Sequence, residues 1–171
     1  MAEDVRDKLI RYLDDAWAVE KSLVSALKDM ADNTNDAAVR ALYEQHSRET
    51  HDQEERLEAR IRALGAEPSG SKGLLNSLMA KISEMLNTFH SEADRTTQDL
   101  VKAFAIENFE QAMYQALMAY AQAIGDNETV SLANQLMQEE RQAADKVWAQ
   151  IAPAATRPLQ EARPPAGVGV S

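Results

Sequence analysis

The sequence of 171 residues contains no cysteine and no long apolar run. Without cysteine, neither a disulfide framework nor a thiolate metal site can form, so any metal site must use oxygen or imidazole ligands. No apolar stretch is long enough for a signal peptide or a membrane span. We therefore expect a cytoplasmic protein that does not bind membranes.

Basic residues are also scarce. Lysine and arginine total 18 against 28 aspartate and glutamate residues, which gives a formal net charge of -10. This charge repels phosphate backbones and therefore argues against direct binding of nucleic acid. The hydrophobic content of 44% is sufficient for one core, so a single domain is expected at this length.

Apolar residues recur every three or four positions along four long segments, which is the period of an amphipathic α-helix. The first predicted helix runs from Glu3 to about Met30, and the second runs from an N-cap at Asn35 or Asp36 to Leu64. The third runs from about Asp94 to Ile124, and the fourth follows the GDNE turn and reaches about Ile151. Only short polar turns separate the first helix from the second and the third from the fourth, so each pair forms an antiparallel hairpin. The fold class is therefore all-α, and the sequence predicts an antiparallel four-helix bundle.

Two segments lie outside these helices. The connection GAEPSGSKG contains three glycines and a proline, and an amphipathic stretch from Leu74 to Phe89 follows it. We expect that stretch to form a short crossover helix between helices two and three. Beyond Ala152 the chain is rich in proline, alanine and glycine and has no periodicity. We therefore predict a bundle domain over residues 1–152 and a disordered tail over residues 153–171.

Each long helix carries a glutamate near the middle of its apolar stripe. Continuing the stripes at coiled-coil spacing places these glutamates on the inward seams. In chain order they are Glu20, Glu49, Glu107 and Glu140. Glu110 follows Glu107 by one turn, and His46 and Gln53 lie one turn to either side of Glu49. The sequence therefore predicts a layer of carboxylates inside the bundle.

Buried ionised carboxylates are costly unless something compensates their charge. Protonation, interior lysine or arginine partners, water, or a pair of divalent metal ions would each do so, and only the metal ions gain from a cluster of like charges. No lysine or arginine occupies a seam position near the four glutamates. A metal pair is the economical interpretation, and half-exposed glutamates on slightly rotated helices are the alternative. Tyr114 and Trp17 flank this layer, and core packing is their expected role.

The order and spacing of five segments resemble the YciF-like branch of the ferritin-like superfamily over nearly all of residues 5–151. These segments are AVEKSL, HSRETHDQEERLE, GAEPSGSKG, IENFEQAMY and QEERQAAD. The resemblance implies a ferritin-like four-helix bundle with a crossover helix, a homodimer, and a di-iron or di-manganese site. It matches the four seam glutamates to the helix carboxylates of that site, and Glu107 with Glu110 to the paired glutamates of helix three.

The sequence departs from better-known di-iron relatives, which have Glu-x-x-His on helices two and four. The corresponding positions here are Asp52 and Ala143, and Ala144 stands where this branch has an acidic residue. His46 or Gln53 can replace the missing imidazole, or can contact the metal ligands without binding the metal itself. Two functions therefore stay open. One is a stress-response protein whose iron or manganese ions consume oxygen or peroxide, with an oxidase or peroxidase-type activity; the other is a non-catalytic stress or scaffold protein that acts through protein contacts.

Overall fold

Four long α-helices form the part of the chain that the computed structural model describes, which is residues 4–69, 80 and 95–161. They are α1 (Val5–Asn33), α2 (Ala37–Ala63), α3 (Arg95–Ile124) and α4 (Asn127–Glu161). The helices pair as two hairpins, α1 with α2 and α3 with α4, and the hairpins pack with α1 against α3 and α2 against α4. This arrangement confirms the predicted all-α, ferritin-like antiparallel bundle. None of the described helices is long and apolar enough to cross a membrane.

The turns within the two hairpins follow from local side-chain chemistry. Asp36 is the N-cap of α2, and its side chain accepts hydrogen bonds from the backbone N–H groups of Ala38 at 2.9 Å and Val39 at 3.3 Å. The chain leaves α3 through Gly125, whose φ of 79° favours glycine. Asp126 then accepts a hydrogen bond from the N–H of Thr129 at 3.0 Å, which caps α4. These short turns set the antiparallel pairing on which the sequence prediction relied.

The core contains two apolar clusters at opposite ends of the bundle. The cluster nearer the α1–α2 turn includes Leu23, Leu27, Val39, Tyr43, Leu100, Ile106 and Val147. The cluster nearer the α3–α4 turn includes Leu9, Leu13, Leu57, Ile61, Tyr114, Leu117 and Leu136. A layer of buried polar side chains lies between them. The apolar stripes on both sides of that layer hold its residues in the interior.

Helix α4 is longer than the sequence predicted. It continues to Glu161 instead of ending near Ile151, although Pro153 lies within the extension. Ala154 packs into the core and Arg157 forms an ion pair with Asp36 on α2, so tertiary contacts outweigh the helix-breaking tendency of proline. Residues 153–161 were therefore wrongly predicted to begin a disordered tail.

Two predictions lie outside the described residues. They are the crossover helix predicted from Leu74 to Phe89 and the part of the predicted tail that follows position 161. The α2 end of the crossover connection is described as far as Ser69, whose N–H and hydroxyl both donate to the carboxylate of Asp14 on α1. The connection therefore leaves the end of α2 across the surface of α1.

Candidate metal centre

Six buried side chains meet at the middle of the bundle and form what we call the polar layer. Each is at most 5% exposed. They are Glu20 of α1, His46 and Gln53 of α2, Glu107 and Glu110 of α3, and Glu140 of α4. The structure therefore brings together six of the seven residues that the sequence analysis placed at the site.

Glu49 is the seventh residue, and it lies at the rim of the site instead of inside it. Its side chain is 39% exposed and accepts a hydrogen bond from Lys146 Nζ at 3.2 Å. Its Oε2 atom lies 3.7 Å from Nδ1 of His46. The prediction of one buried glutamate per helix is therefore wrong for α2, which contributes an imidazole and an amide. A metal-binding role for Glu49 stays a prediction.

The rotation of α2 explains the position of Glu49. The coiled-coil spacing that placed Glu49 on the inward seam of helix two also places position 42 there, whereas the helix buries Tyr43 and Thr50. Both seams share positions 39, 46 and 53, so His46 and Gln53 point inward in either case. Because Leu42 and Tyr43 are both apolar, the sequence pattern did not distinguish the two rotations.

Direct hydrogen bonds connect several members of the polar layer. Nε2 of His46 lies 2.9 Å from Oε1 of Glu107, and Nε2 of Gln53 donates to Oε1 of Glu140 at 2.5 Å. The hydroxyl of Tyr114 donates to Oε1 of Glu20. Tyr114 was predicted only to pack in the core, and its helical spacing from Glu107 and Glu110 is the signal for this additional contact.

The arrangement leaves many buried polar atoms without a hydrogen-bond partner in the described part of the chain. In the polar layer they are Oε2 of Glu20, Oε2 of Glu107, both carboxylate oxygens of Glu110, Nδ1 of His46 and Oε1 of Gln53, and outside it they are Nε1 of Trp17, the hydroxyl of Tyr43 and Oγ1 of Thr50. Each buried polar atom left unpaired costs about 1–3 kcal/mol. A cation would satisfy the carboxylate oxygens together, so these atoms indicate a site built around positive charge.

Three of these side chains are close enough to share one ion. One ligand atom each from His46, Glu107 and Glu140 lies within 4.8 Å of the other two. Carboxylate oxygens with one imidazole nitrogen form a donor set that suits divalent iron or manganese. The residues present therefore fit a metal of the kind that the family resemblance implies.

Burial and mutual repulsion make the carboxyl groups hold their protons more tightly. Burial raises the pKa of Glu20 from its ordinary 4.5 to about 7, although the Tyr114 hydrogen bond and the charge of His46 oppose the change. The pKa of Glu110 is raised well above its ordinary value by burial and then by the charges of Glu20 and Glu140. Burial, followed by the charges of Glu20 and Glu107, also raises the pKa of Glu140. Metal binding would release these protons.

The pKa of His46 is raised, although burial by itself would lower it. Desolvation alone lowers the pKa of the imidazole, but the charge of Glu107 and its hydrogen bond outweigh burial and raise the pKa to about 10. Without metal, His46 is therefore a buried imidazolium ion paired with Glu107. Nδ1 of the same imidazolium lies 3.7 Å from Oε2 of Glu49, and this close positive charge is the main reason why the pKa of Glu49 is lowered to about 2.

A cavity of about 410 Å³ lies between α2 and α4 beside the polar layer. Its lining includes the buried side chains of His46 and Gln53 and the charged side chains of Glu49, Glu139 and Lys146. Two members of the polar layer therefore line a cavity that exposed side chains also line.

Comparisons with known proteins identify several similar chains. The family described as a domain of unknown function (DUF892) matches residues 4–159. Protein YciF of Escherichia coli (strain K12) is 24% identical over 143 residues, which cover 80% of this chain and 84% of that protein. The solved structure of the E. coli stress protein YciF has a TM-score of 0.78 at 20% identity and covers 91% of this chain and 99% of its own. A protein of Xanthomonas campestris gives a TM-score of 0.76 at 22% identity, with coverage of 93% and 98%.

Proposed function

Because the chain belongs to the family described as a domain of unknown function (DUF892), we propose a function from its polar layer rather than from a family activity. The proposal is a ferritin-like stress-response protein that holds two iron or two manganese ions and consumes oxygen or peroxide. The stress role is supported by the likeness to YciF, which is described as a stress protein. The metal site is supported by the unpaired buried atoms of the polar layer, the observation that carries the proposal.

The polar layer supplies enough donors for two ions. His46, Glu107 and Glu140 would hold the first, because their ligand atoms lie within 4.8 Å of one another. Glu20 and Glu110 would hold the second, and between them they have three carboxylate oxygens without a partner. Glu107 has one further carboxylate oxygen without a partner, which would be available to the bound ions.

A bound pair of iron or manganese ions would supply the redox chemistry needed to reduce oxygen or peroxide. The residues of the chain would position the ions and control protons around them. Gln53 holds the carboxylate of Glu140 through its amide. The pKa of Tyr114 is raised well above its ordinary value by burial and then by the charge of Glu20, so its hydroxyl keeps a proton beside the site. The two apolar clusters exclude water from above and below the layer.

A second candidate function is a non-catalytic stress or scaffold protein whose site has degenerated. Three internal pairs favour it, because His46 with Glu107, Gln53 with Glu140, and Tyr114 with Glu20 are already hydrogen-bonded without metal. The buried Ala143 and Ala144 of α4 also offer no ligand. Under this alternative the carboxyl groups remain protonated, and the protein acts through its surface.

The proposal includes a homodimer in the cytoplasm without direct contacts to nucleic acid. The support for a dimer is the family resemblance together with Trp148, which is 64% exposed and packs with its ring centroid 5.1 Å from that of Phe104. Sedimentation of the wild type and of Trp148→Gln tests this part. A dimer that weakens in the variant is expected, and a monomeric wild type would contradict it.

Oxidant consumption by the metal-loaded protein separates the two candidate functions. We expect protein loaded with iron(II) or manganese(II) to consume peroxide or oxygen, with the bound ions or a second peroxide molecule supplying the electrons, and Glu107→Gln to lose this activity because it removes one of the proposed ligands. The matched control is Glu55→Gln, which changes a glutamate of α2 that is 68% exposed. Metal-loaded wild-type protein without turnover would favour the non-catalytic function. Equal activity in Glu107→Gln and the wild type would place the reaction elsewhere.

A further inference from the structure

The cavity between α2 and α4 opens at a surface where opposite charges are paired. Glu49 accepts from Lys146 Nζ at 3.2 Å, and Oε1 of Glu139 accepts from Nη1 of Arg56 at 3.0 Å. Both carboxylates are about two-fifths exposed, so water and ions can reach them. The mouth of the cavity therefore presents carboxylates that can exchange an ammonium or guanidinium partner for another cation.

Gln53 is the member of the polar layer that connects this mouth to Glu140. Its Nε2 donates to Oε2 of Glu139 at 3.2 Å and to Oε1 of Glu140 at 2.5 Å. Glu139 and Glu140 are consecutive in α4, but the first lies in the mouth and the second is only 1% exposed. One buried amide therefore bridges an outer carboxylate and an inner carboxylate.

The oxygen of the Gln53 amide, unlike its nitrogen, makes no hydrogen bond to the described residues. Oε1 of Gln53 is buried and has no hydrogen-bond partner among the described residues. The neighbouring Nδ1 of His46 is also unpaired, and both residues line the cavity. Reorienting the amide would offer this oxygen to a cation and release the oxygens of Glu139 and Glu140 to which Nε2 donates.

We propose that the cavity is the route by which a divalent metal ion enters the polar layer and that Gln53 is its gate. The inference rests on the proposed metal site and adds the path to it. The cavity volume of about 410 Å³ is many times the roughly 30 Å³ that one water molecule occupies, so a hydrated ion fits. The net charge of -10 attracts cations towards the protein. At the mouth, Glu49 and Glu139 bind the ion, and rotation of the Gln53 amide away from Glu140 frees that carboxylate to receive it.

The first test blocks the cavity without altering the polar layer. Gln142 is an exposed residue that lines the cavity, and Gln142→Trp would fill it. The matched control is Gln138→Trp, which places the same side chain one turn earlier at another exposed position of α4. Stopped-flow uptake of Mn²⁺ or Co²⁺ by the full-length protein measures the rate. We expect Gln142→Trp to slow uptake about tenfold, equivalent to a barrier increase of about 1.4 kcal/mol, with unchanged final metal content.

The second test changes the charge of the mouth. Lys146→Gln removes a cation that competes for Glu49, so uptake should become faster at low salt. The difference from the wild type should disappear at high salt, because exposed charges are then screened. An unchanged rate at low salt would contradict a path through this mouth.

The third test distinguishes a gate from a ligand. Gln53→Leu removes both hydrogen bonds of the amide at similar volume, so a gate predicts faster uptake and faster release to a chelator. Faster release with normal uptake would identify Gln53 as a ligand only and overturn the gating role.

The outcomes also separate this inference from the proposed function. If Gln142→Trp takes up metal as fast as the wild type does, the access route is overturned, whereas the proposed metal site is not affected. A wild type that binds no Mn²⁺, Co²⁺ or Fe²⁺ would overturn both.

Discussion

The substitution Glu20→Gln should stabilise the metal-free protein and weaken the metal-loaded one. Keeping the Glu20 carboxyl in the core raises its pKa from 4.5 to about 7, and each pKa unit corresponds to about 1.4 kcal/mol. At pH 8 the buried Glu20 carboxylate therefore lowers the free energy of unfolding by roughly 3 kcal/mol. Glutamine keeps an oxygen that can accept the Tyr114 hydrogen bond but carries no charge to bury.

The pH dependence gives this prediction a specific form. Below pH 4.5 the carboxyl is protonated in both the folded and the unfolded protein, so Glu20→Gln should change little. As the pH rises from 4.5 to about 7, the unfolded chain loses the proton first, and the stability of the wild type falls. The gain from the variant should therefore appear across this range and be complete by pH 8. It should raise the melting temperature by up to about 6–12 °C for a chain of this size.

Thermal unfolding at pH 4.5 and pH 8, with and without Mn²⁺, measures both effects. Metal should raise the melting temperature of the wild type by mass action and should raise that of Glu20→Gln less. Glu49→Gln is the comparison variant, because the nearby His46 lowers the pKa of Glu49 to about 2 instead of raising it. It should destabilise the protein slightly at pH 8. A metal-free Glu20→Gln protein that is less stable than the wild type at pH 8 would refute the reasoning.

Three further substitutions test other contacts. His46→Ala should destabilise the metal-free protein by about 3 kcal/mol at pH 6, because it leaves the buried Glu107 unpaired, and urea titration should show the deficit shrink as the pH rises towards 10. Arg60→Ala should cost about 2 kcal/mol in the same assay without changing metal content, since it removes two 2.7 Å contacts to Asp126 at the α3–α4 turn. Arg157→Ala should lower the melting temperature by about 2–4 °C, and an unchanged value would show that the end of α4 is not held by its ion pair.

The fold was predictable because its determinants are local. Leu13, Leu23 and Leu27 of α1 follow one inward stripe, and the glycine before Asp126 ends α3 where the periodicity stops. Neither feature depends on contacts distant in sequence. The bundle could therefore be assigned from spacing and turn chemistry alone.

The sequence predictions were wrong at two places where contacts between helices determine the structure. The rotation of α2 depends on whether Leu42 or Tyr43 faces the core, and the choice moves Glu49 from the interior to the rim. The length of α4 depends on the Arg157 ion pair with a residue more than a hundred positions away. Helix propensity depends on the local sequence and therefore predicts neither the rotation of α2 nor the Arg157 ion pair.

The central claim is that the polar layer is a site for two divalent metal ions. Elemental analysis of untagged protein, purified without chelators from cells supplied with iron and manganese, tests it most directly. The account predicts about two equivalents of one transition metal per chain, as expected for a two-metal site, and their loss in a Glu107→Gln, Glu110→Gln double variant. A wild-type protein that contains no metal and takes up none on titration would contradict it.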